Sequence, residues 1–350
     1  MQKKRLFHFY PARSSFIAKD ERLLESDFLI IPFDFHTAQK WLTPWMWVKQ
    51  LVFLLWHVRK GDQMFCQFAG FHSLLPAMYS QLFGIPCLIS VGGNDAHFFP
   101  ALGYGNYTRP ILKWFTIQSL LRCTRILPKH RSLIYSDYTY DTKHPSPQGL
   151  KARIPQLPVE KCTIIENGYS GERWYCGEGK KTIRFITICT GMQHAFQREM
   201  KGLNLLAKTA DLMPDVSIHI VGVPEGYRWD EKPGNIKLLP PTSAEALREL
   251  LSASAFYLQL SLAEGFPNAL CEAMLCECVP IGSAVFSIPE IIGDTGYLLN
   301  RPNAEELAEL MQKAMTEYKP EKGINARNSI MKHYPETKRK AKLLDALKGI

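Results

Sequence analysis

Residues 255–299 read AFYLQLSLAEGFPNALCEAMLCECVPIGSAVFSIPEIIGDTGYLL. The apolar run Ala255–Leu260 has the length of a buried strand, and Gly265 and Pro267 end it. The spacing then predicts a helix over 268–278, with Asn268 as its cap and Ala269-Leu270-Cys271 as its first turn. A strand at Val279–Ile281, a helix over 286–292 and a strand at Tyr297–Leu299 follow. Upstream, strands are expected at Ile183–Thr190, Val216–Gly222 and Ile236–Leu239. Helical patterns fall at about 201–213, 243–252 and 303–317. Short apolar runs alternating with helices specify an α/β fold with a doubly wound parallel sheet.

That series fills only the second half of a 350-residue chain, and the length suits two domains of about 150–180 residues. With 46% hydrophobic and 21% charged residues, disordered, collagen-like and disulfide-scaffold classes are excluded. The net charge of +9 is unevenly placed. Residues 1–180 hold 22 Lys and Arg against 13 Asp and Glu, whereas residues 181–350 hold 20 of each. A uniformly basic nucleic-acid binder would not be partitioned so. A basic front domain facing an anionic partner is expected, and no nucleic acid. The nine cysteines match no zinc spacing, which leaves thiols in a reducing compartment. The N-terminus MQKKRLFHFYP is basic but lacks the apolar run of a signal peptide.

Residues 63–94 carry no charge until Asp95, yet Gly70, His72, Pro76 and Gly84-Ile85-Pro86 break them up. They read as a strand at Met64–Phe68, a helix at Ser73–Phe83 and a strand at Cys87–Val91, a buried β-α-β unit. The stretch 41–58, WLTPWMWVKQLVFLLWHV, holds four of the seven Trp and Lys49, and Arg59 and Lys60 follow it. It suits either an interfacial helix or an aromatic-rich core helix. A strand over Cys162–Asn167, a linker at Gly177-Glu178-Gly179-Lys180-Lys181 and an amphipathic basic helix over 336–349 complete the outline.

The chemistry concentrates at Glu264 and Glu272, which flank seven residues. Glu264 falls on the loop and Glu272 about one turn into the helix, so the loop must fold back to bring them together. A strand feeding a tight loop and a helix N-terminus offers free N–H groups to a phosphate. Two carboxylates beside such a cradle suit hydroxyls, those of a ribose and of a sugar ring.

The segment resembles the EX7E signature of retaining glycosyltransferases of family 4. The order of MKGLNLLAKTA (200–210), SIHIVG (217–222), IKLLPP (236–241), VPIGSAVFSIPEII (279–292) and TGYLL (295–299) is similar to that family too. The resemblance implies a GT-B fold, two Rossmann-like doubly wound domains facing a cleft. Residues 1–178 would form the acceptor-side domain and 179–332 the nucleotide-sugar domain. Residues 333–350 would form a C-terminal helix crossing back to the N-terminal domain. By the same resemblance Glu264 contacts the donor sugar, Glu272 holds the ribose hydroxyls, and the backbone from Gly265 through Phe266, Pro267 and Asn268 to Ala269 meets sugar and diphosphate. Lys201 sits on the diphosphate, and Gly191 closes the preceding strand. The family's arginine after that glycine is replaced by Met192, with Arg198 as a candidate substitute. Glu277 stands where the family often has glycine. In the front half FGIPCLISVGGNDAHFFPALGYG (83–105) resembles the acceptor-side loop, with Gly92 in place of a His or Arg and with Asn94, Asp95 and His97 as polar candidates.

No clean DxD carboxylate pair is present in FDF (33–35) or SDYTYD (136–141), so cationic side chains and a helix N-terminus are expected in place of a metal, with no cofactor. The resemblance implies transfer from a nucleotide-diphosphate sugar with retention of configuration. The acceptor expected is a saccharide or lipid-linked glycan of the cell envelope. The location expected is cytoplasmic and peripheral at an anionic membrane surface. Two other readings stand beside it, a small soluble acceptor and a catalytically inactive nucleotide-sugar-binding protein.

Overall fold

Runs of alternating side chains that are apolar on both faces make strands of a sheet covered on both sides. In the front half these are β1 (Lys4–Tyr10), β2 (Phe28–Asp34), β3 (Gln63–Gln67), β4 (Cys87–Val91) and β5 (Arg125–Pro128). They pair in parallel in the order β2-β1-β3-β4-β5. The alternation sorts them cleanly. Phe7, Phe9, Met64, Ile89 and Ile126 face one core, and Leu6, Phe65, Leu88 and Leu127 face the other. The structure is a computed structural model and describes residues 3–36, 40–177, 179, 181–192 and 195–349. Glu178 and Lys180 of the expected linker, and Met1 and Gln2 of the basic N-terminus, lie outside the described residues.

The back half contributes β6 (Thr182–Ile188), β7 (Ser217–Val221), β8 (Ile236–Leu239), β9 (Ser254–Gln259), β10 (Val279–Ser283) and β11 (Tyr297–Leu299). Their order is β11-β10-β9-β6-β7-β8, again all parallel. The winding reverses between β6 and β9, and ligands of open α/β sheets bind outside the carboxyl ends at such a reversal. The contacts of the chain divide it into two units. The first comprises Met1–Asp137, Pro145–Glu166 and Glu336–Ile350, the second Tyr138–His144 and Asn167–Pro335. This division runs at 166/167 and 335/336, beside the 178/179 and 332/333 boundaries expected from the sequence.

Several expectations change. Cys162–Asn167 is not a strand. It runs extended beside β5 through one bridge, Cys162 to Ile126, with Thr163 donating to the Ile126 carbonyl and Ile165 to that of Pro128. The helix expected at 201–213 runs over Leu203–Leu212, and a further short helix, Ala195–Met200, precedes it across Gly202. Pro320–His333 is a further helix whose mixed polar pattern carried no signal. Glu277 takes a left-handed φ of 62°. There Glu277 donates to the Met274 carbonyl and Cys278 to that of Ala273, the pair of bonds that closes a helix on a left-handed residue. Glycine is favoured at such a position because it has no Cβ to crowd the carbonyl.

The stretch 41–58 packs one face on the first core and exposes the other. The helix Thr43–His57 buries Gln50 and Leu54, and Trp47 stacks on Phe115 at 4.6 Å. Trp41, Trp45, Val48, Val52, Leu55 and Trp56 are exposed, Trp41 and Trp56 at 73% each. Among the described residues no helix is long and apolar enough to cross a membrane.

The last helix, Glu336–Lys348, belongs to the first unit and is anchored there by a buried ion pair. The Arg339 guanidinium donates from Nε and Nη2 to the two oxygens of Asp20, each at 2.7 Å, and from Nη1 to the carbonyls of Ile165 and Glu166. Burial works to raise the Asp20 pKa, and Arg339 overrides it, holding it below the ordinary value. Removing one partner of such a pair strands a buried charge. Arg339→Met should therefore cost about 3–5 kcal/mol of stability, and Asp20→Leu in the same chain should recover much of it, as read by urea denaturation.

Candidate functional site

The site of the second unit is built from two loops at the reversal between β6 and β9. Gly202 brings them together. Its φ is 67°, and a Cβ there would lie 2.2 Å from the carbonyl oxygen of Leu260, the residue after β9. Leu262 donates to the Met200 carbonyl at 2.9 Å, which closes the second contact between the two loops. Lys201, held between these contacts, is thereby set over the loop that carries Glu264.

Lys201 Nζ donates to Glu264 Oε1 at 2.5 Å. The same oxygen accepts from Ser261 Oγ at 2.8 Å and Gln259 Nε2 at 3.1 Å. Gln259 is oriented in turn by the Tyr257 hydroxyl at 3.2 Å, and Ser283 Oγ donates to the Ser261 carbonyl at 2.6 Å. One carboxylate oxygen thus takes three donors. Among the described residues Oε2 takes none, and the ammonium keeps two further N–H donors. Burial pulls the Lys201 ammonium toward neutrality. The Glu264 carboxylate outweighs it and holds the pKa above the ordinary lysine value, so the group is cationic at neutral pH. The Lys201 side chain is 29% exposed and that of Glu264 15%, so the pair is reachable from solvent. The Cys189 thiol after β6 reports the same cluster. Burial pushes it up to about 11, with Lys201 lowering it and Glu264 raising it.

The loop continues through Gly265, Phe266 and Pro267 into the helix Asn268–Leu275. Pro267, not Asn268, occupies the cap position, and no side chain caps the helix. Asn268 is drawn into the first turn because its Oδ1 accepts from Asn167 Nδ2 at 2.9 Å and from the Tyr169 hydroxyl at 2.8 Å. The leading N–H groups of this helix point outward beside Ala269. The Phe266 ring is buried between Tyr169 and Tyr334, and its carbonyl accepts from Asn167 Nδ2 at 3.4 Å. Glu272 lies one turn in. The Tyr257 hydroxyl is held far above its ordinary pKa by burial first and then by Glu264, with a weaker contribution from Glu272.

Met192 is buried at 1% exposure after Gly191, whose φ of 82° turns the chain. Arg198 lies over the Trp229 ring at 5.3 Å, and its Nε is buried without a partner. Of the acceptor-side candidates in the first unit, Asn94 is exposed, whereas Asp95 and His97 are buried. Asp95 accepts the Gly92 N–H at 2.9 Å and the Asn106 amide at 3.3 Å, and burial pushes its pKa up to about 7. Burial likewise takes His97 down to about 3. Gln259, Ser261 and Tyr257 were not anticipated. Their shared parity along β9 was the available signal, since alternate residues face one side.

Residues 192–330 match the family model described as glycosyl transferases group 1. The second unit therefore carries a group 1 glycosyltransferase domain. A D-inositol 3-phosphate glycosyltransferase of Mycobacteroides abscessus is 27% identical over 124 residues, which cover 31% of this chain and 28% of that protein. The match thus spans under a third of the length of that curated relative. Among solved structures, sucrose-phosphate synthase from Thermosynechococcus elongatus superposes with a TM-score of 0.74 at 12% identity, covering 99% of both chains. Anabaena HepE in complex with UDP and glucose gives 0.69 at 13% identity, covering 98% of this chain and 99% of that one. The two Rossmann-like α/β units are those of the GT-B fold.

In the glycosyltransferase domain the Gly202 contact sets the position of Lys201. Gly202→Ala should lower stability by about 2 kcal/mol or more, because a methyl group at 2.2 Å from a carbonyl forces one of the two loops to move. Thermal denaturation should show the loss. A variant as stable as the parent would remove the constraint.

Proposed function

We propose that the protein is a retaining glycosyltransferase of the family 4 type, moving a hexose or a hexose derivative from a nucleotide-diphosphate sugar to a hydroxyl of a saccharide or lipid-linked acceptor. The observation that carries the reading is the Glu264 carboxylate, saturated at one oxygen by Lys201, Gln259 and Ser261 and open at the other, beside a helix N-terminus at the sheet reversal. The open oxygen is suited to a sugar hydroxyl. The remaining Lys201 donors and the leading N–H groups of Asn268–Leu275 are suited to the departing diphosphate, and Glu272 to a ribose. UDP is the first nucleotide to test, since it is bound in the similar Anabaena fold.

In the reaction the bond from the anomeric carbon to the phosphate oxygen breaks, and the acceptor oxygen bonds to the same face through an oxocarbenium-like state. The acceptor proton passes to the departing phosphate. Lys201 and the helix N-terminus neutralise the charge that develops there, the role a metal has in other transferases. Arg198, stacked on Trp229, is the second cation within the domain that we assign to the diphosphate. The buried Met192 favours one other reading, a protein that binds a nucleotide sugar without transferring it.

We assign the acceptor to a membrane surface in envelope glycan synthesis. The exposed stripe Trp41, Trp45, Val48, Val52, Leu55 and Trp56 is flanked by exposed Lys49, Arg59 and Lys60, and the whole net charge of the chain lies in its first 180 residues. Aromatic rings beside cations fit the headgroup zone of an anionic leaflet, where each Lys or Arg contributes about 1 kcal/mol.

Two measurements test these statements. Lys201→Met and Glu264→Gln should keep the fold and lower transfer by about 10²–10³, ~3–4 kcal/mol of transition-state stabilisation, in a radiolabelled-sugar assay over a panel of donors. Thermal stabilisation by UDP with no product from any donor would select the binding-only reading. Sedimentation with vesicles containing phosphatidylglycerol should show salt-sensitive binding that Trp45→Ser with Trp56→Ser weakens. Equal binding to neutral vesicles would remove the leaflet assignment.

A further inference from the structure

Lys129 follows β5 at the carboxyl end of the first unit's sheet and is 7% exposed. Its ammonium lies over the rings of Phe16, at 5.1 Å, and Phe68, at 5.4 Å. Among the described residues it makes no hydrogen bond and no ion pair. The carboxylates around it are engaged elsewhere. Asp20 on the helix Ser15–Leu24 is bidentate to Arg339, and Asp95 accepts from Gly92 and Asn106. Burial, then repulsion from Arg339, brings the Lys129 pKa down to about 8 against support from Asp20 and Asp95, and Lys19 adds the smallest repulsion. A buried cation left without a hydrogen-bonded counter-charge is expensive.

Besides these two engaged carboxylates, groups that can donate lie on the same side of the sheet end. Phe16 belongs to the first turn of Ser15–Leu24, a ten-residue helix with no acid in that turn. Ser14 precedes this helix with a buried hydroxyl that caps nothing and has no partner. At the end of β3, Gln67 is fully buried with both amide atoms unpartnered. By strand alternation Gln67 shares its sheet face with Phe65, and Lys129 with Leu127, and these two apolar residues belong to the same core. Phe68 adopts a left-handed φ of 72°, and its ring occupies the space that a Cβ on Gly92 would take, at 2.8 Å. That conformation is costly for a phenylalanine, and it keeps the ring beside the ammonium.

We propose that this end of the first sheet binds a phosphoryl group of the acceptor, with Lys129 as its counter-charge and the N-terminus of Ser15–Leu24, with Ser14, as its further donors. A site made of an ammonium, a hydroxyl and helix N–H groups suits a ligand that is all acceptor. A sugar ring, whose hydroxyls also donate, would leave its own donors unmet. The word acceptor rests on the transferase reading above, whereas the anion site itself does not.

The test titrates inorganic phosphate calorimetrically into the full chain, its Lys129→Met and Lys129→Arg variants, and Lys201→Met, which disables the donor cation. Binding should persist in Lys201→Met, weaken at least about tenfold in Lys129→Met and recover in Lys129→Arg, as loss of one charge-assisted hydrogen bond requires. Equal affinity in the parent and Lys129→Met, or no binding in the parent, overturns the site. Should Lys129→Met fail to fold, the parent protein labelled with 13C at lysine Cε decides. The ring-current-shifted resonance expected of a lysine between two phenyl faces must move on adding phosphate, and a stationary signal overturns the site. Glycerol 3-phosphate and dihexanoyl phosphatidic acid, titrated in the same way, separate a soluble phosphate from a lipid one, and tighter binding of either supports the site. None of these readouts requires sugar transfer, so inactive enzyme that still binds phosphate through Lys129 would sink the transferase reading alone.

Discussion

The approach of the Gly202 backbone to the Leu260 carbonyl governs the second unit's chemistry. Only a residue without a Cβ can make it, and only with that contact made does the Lys201 ammonium stand over Glu264. The glycine interrupts what would otherwise be one continuous helix from 195 to 212, so the site is obtained at the expense of helical regularity. Gln259 and Ser261 then share the carboxylate oxygen that Lys201 takes, which leaves its second oxygen and two ammonium hydrogens without partners among the described residues.

Both units place their unusual polar groups at the carboxyl ends of parallel strands. Helix N-termini and strand ends gather there, so partial positive charge and open N–H groups accumulate without any charged side chain. The two units use this in different ways. In the second, a lysine is paired with a carboxylate and raised in pKa. In the first, Lys129 is cushioned by two rings, denied a carboxylate and lowered in pKa. Asp20 could have served Lys129, but the Arg339 guanidinium of the last helix takes both its oxygens. The end of the chain thus bears directly on the charge balance of a sheet built from its beginning.

The second sheet was legible because every strand there is a short apolar run ended by Gly, Pro or a charged turn, and six such runs alternate with helical patterns. Glu264 and Glu272 were legible from their spacing and surroundings, and Lys201 only from the family resemblance. Asn268 misled because Asn is a preferred cap in isolation, and its actual partners, Asn167 and Tyr169, are about a hundred residues away in the chain. Cys162–Asn167 has a strand's composition but only one bridging partner. The exposure of Trp45 and Trp56, against the half-burial of Trp47, depends on which helix face Phe71 and Phe115 cover, and no local pattern in a largely apolar stretch can say so.

Local sequence by itself determined the parallel α/β character of the second half and of one β-α-β unit in the first, the order along the chain of the second sheet's elements, the uneven charge and the residue types available at the loop after β9. It could do so because hydrophobic period, turn residues and charge are properties of neighbours along the chain. Tertiary structure alone decided that Gln259 and Ser261 share one oxygen of Glu264 with Lys201, that Arg198 turns onto Trp229, and that Lys129 is left without a carboxylate while Asp20 is spent on Arg339. Each of these is a competition among groups far apart in sequence for the same few hydrogen bonds, and its outcome is set by which backbones can approach closely enough in the folded chain.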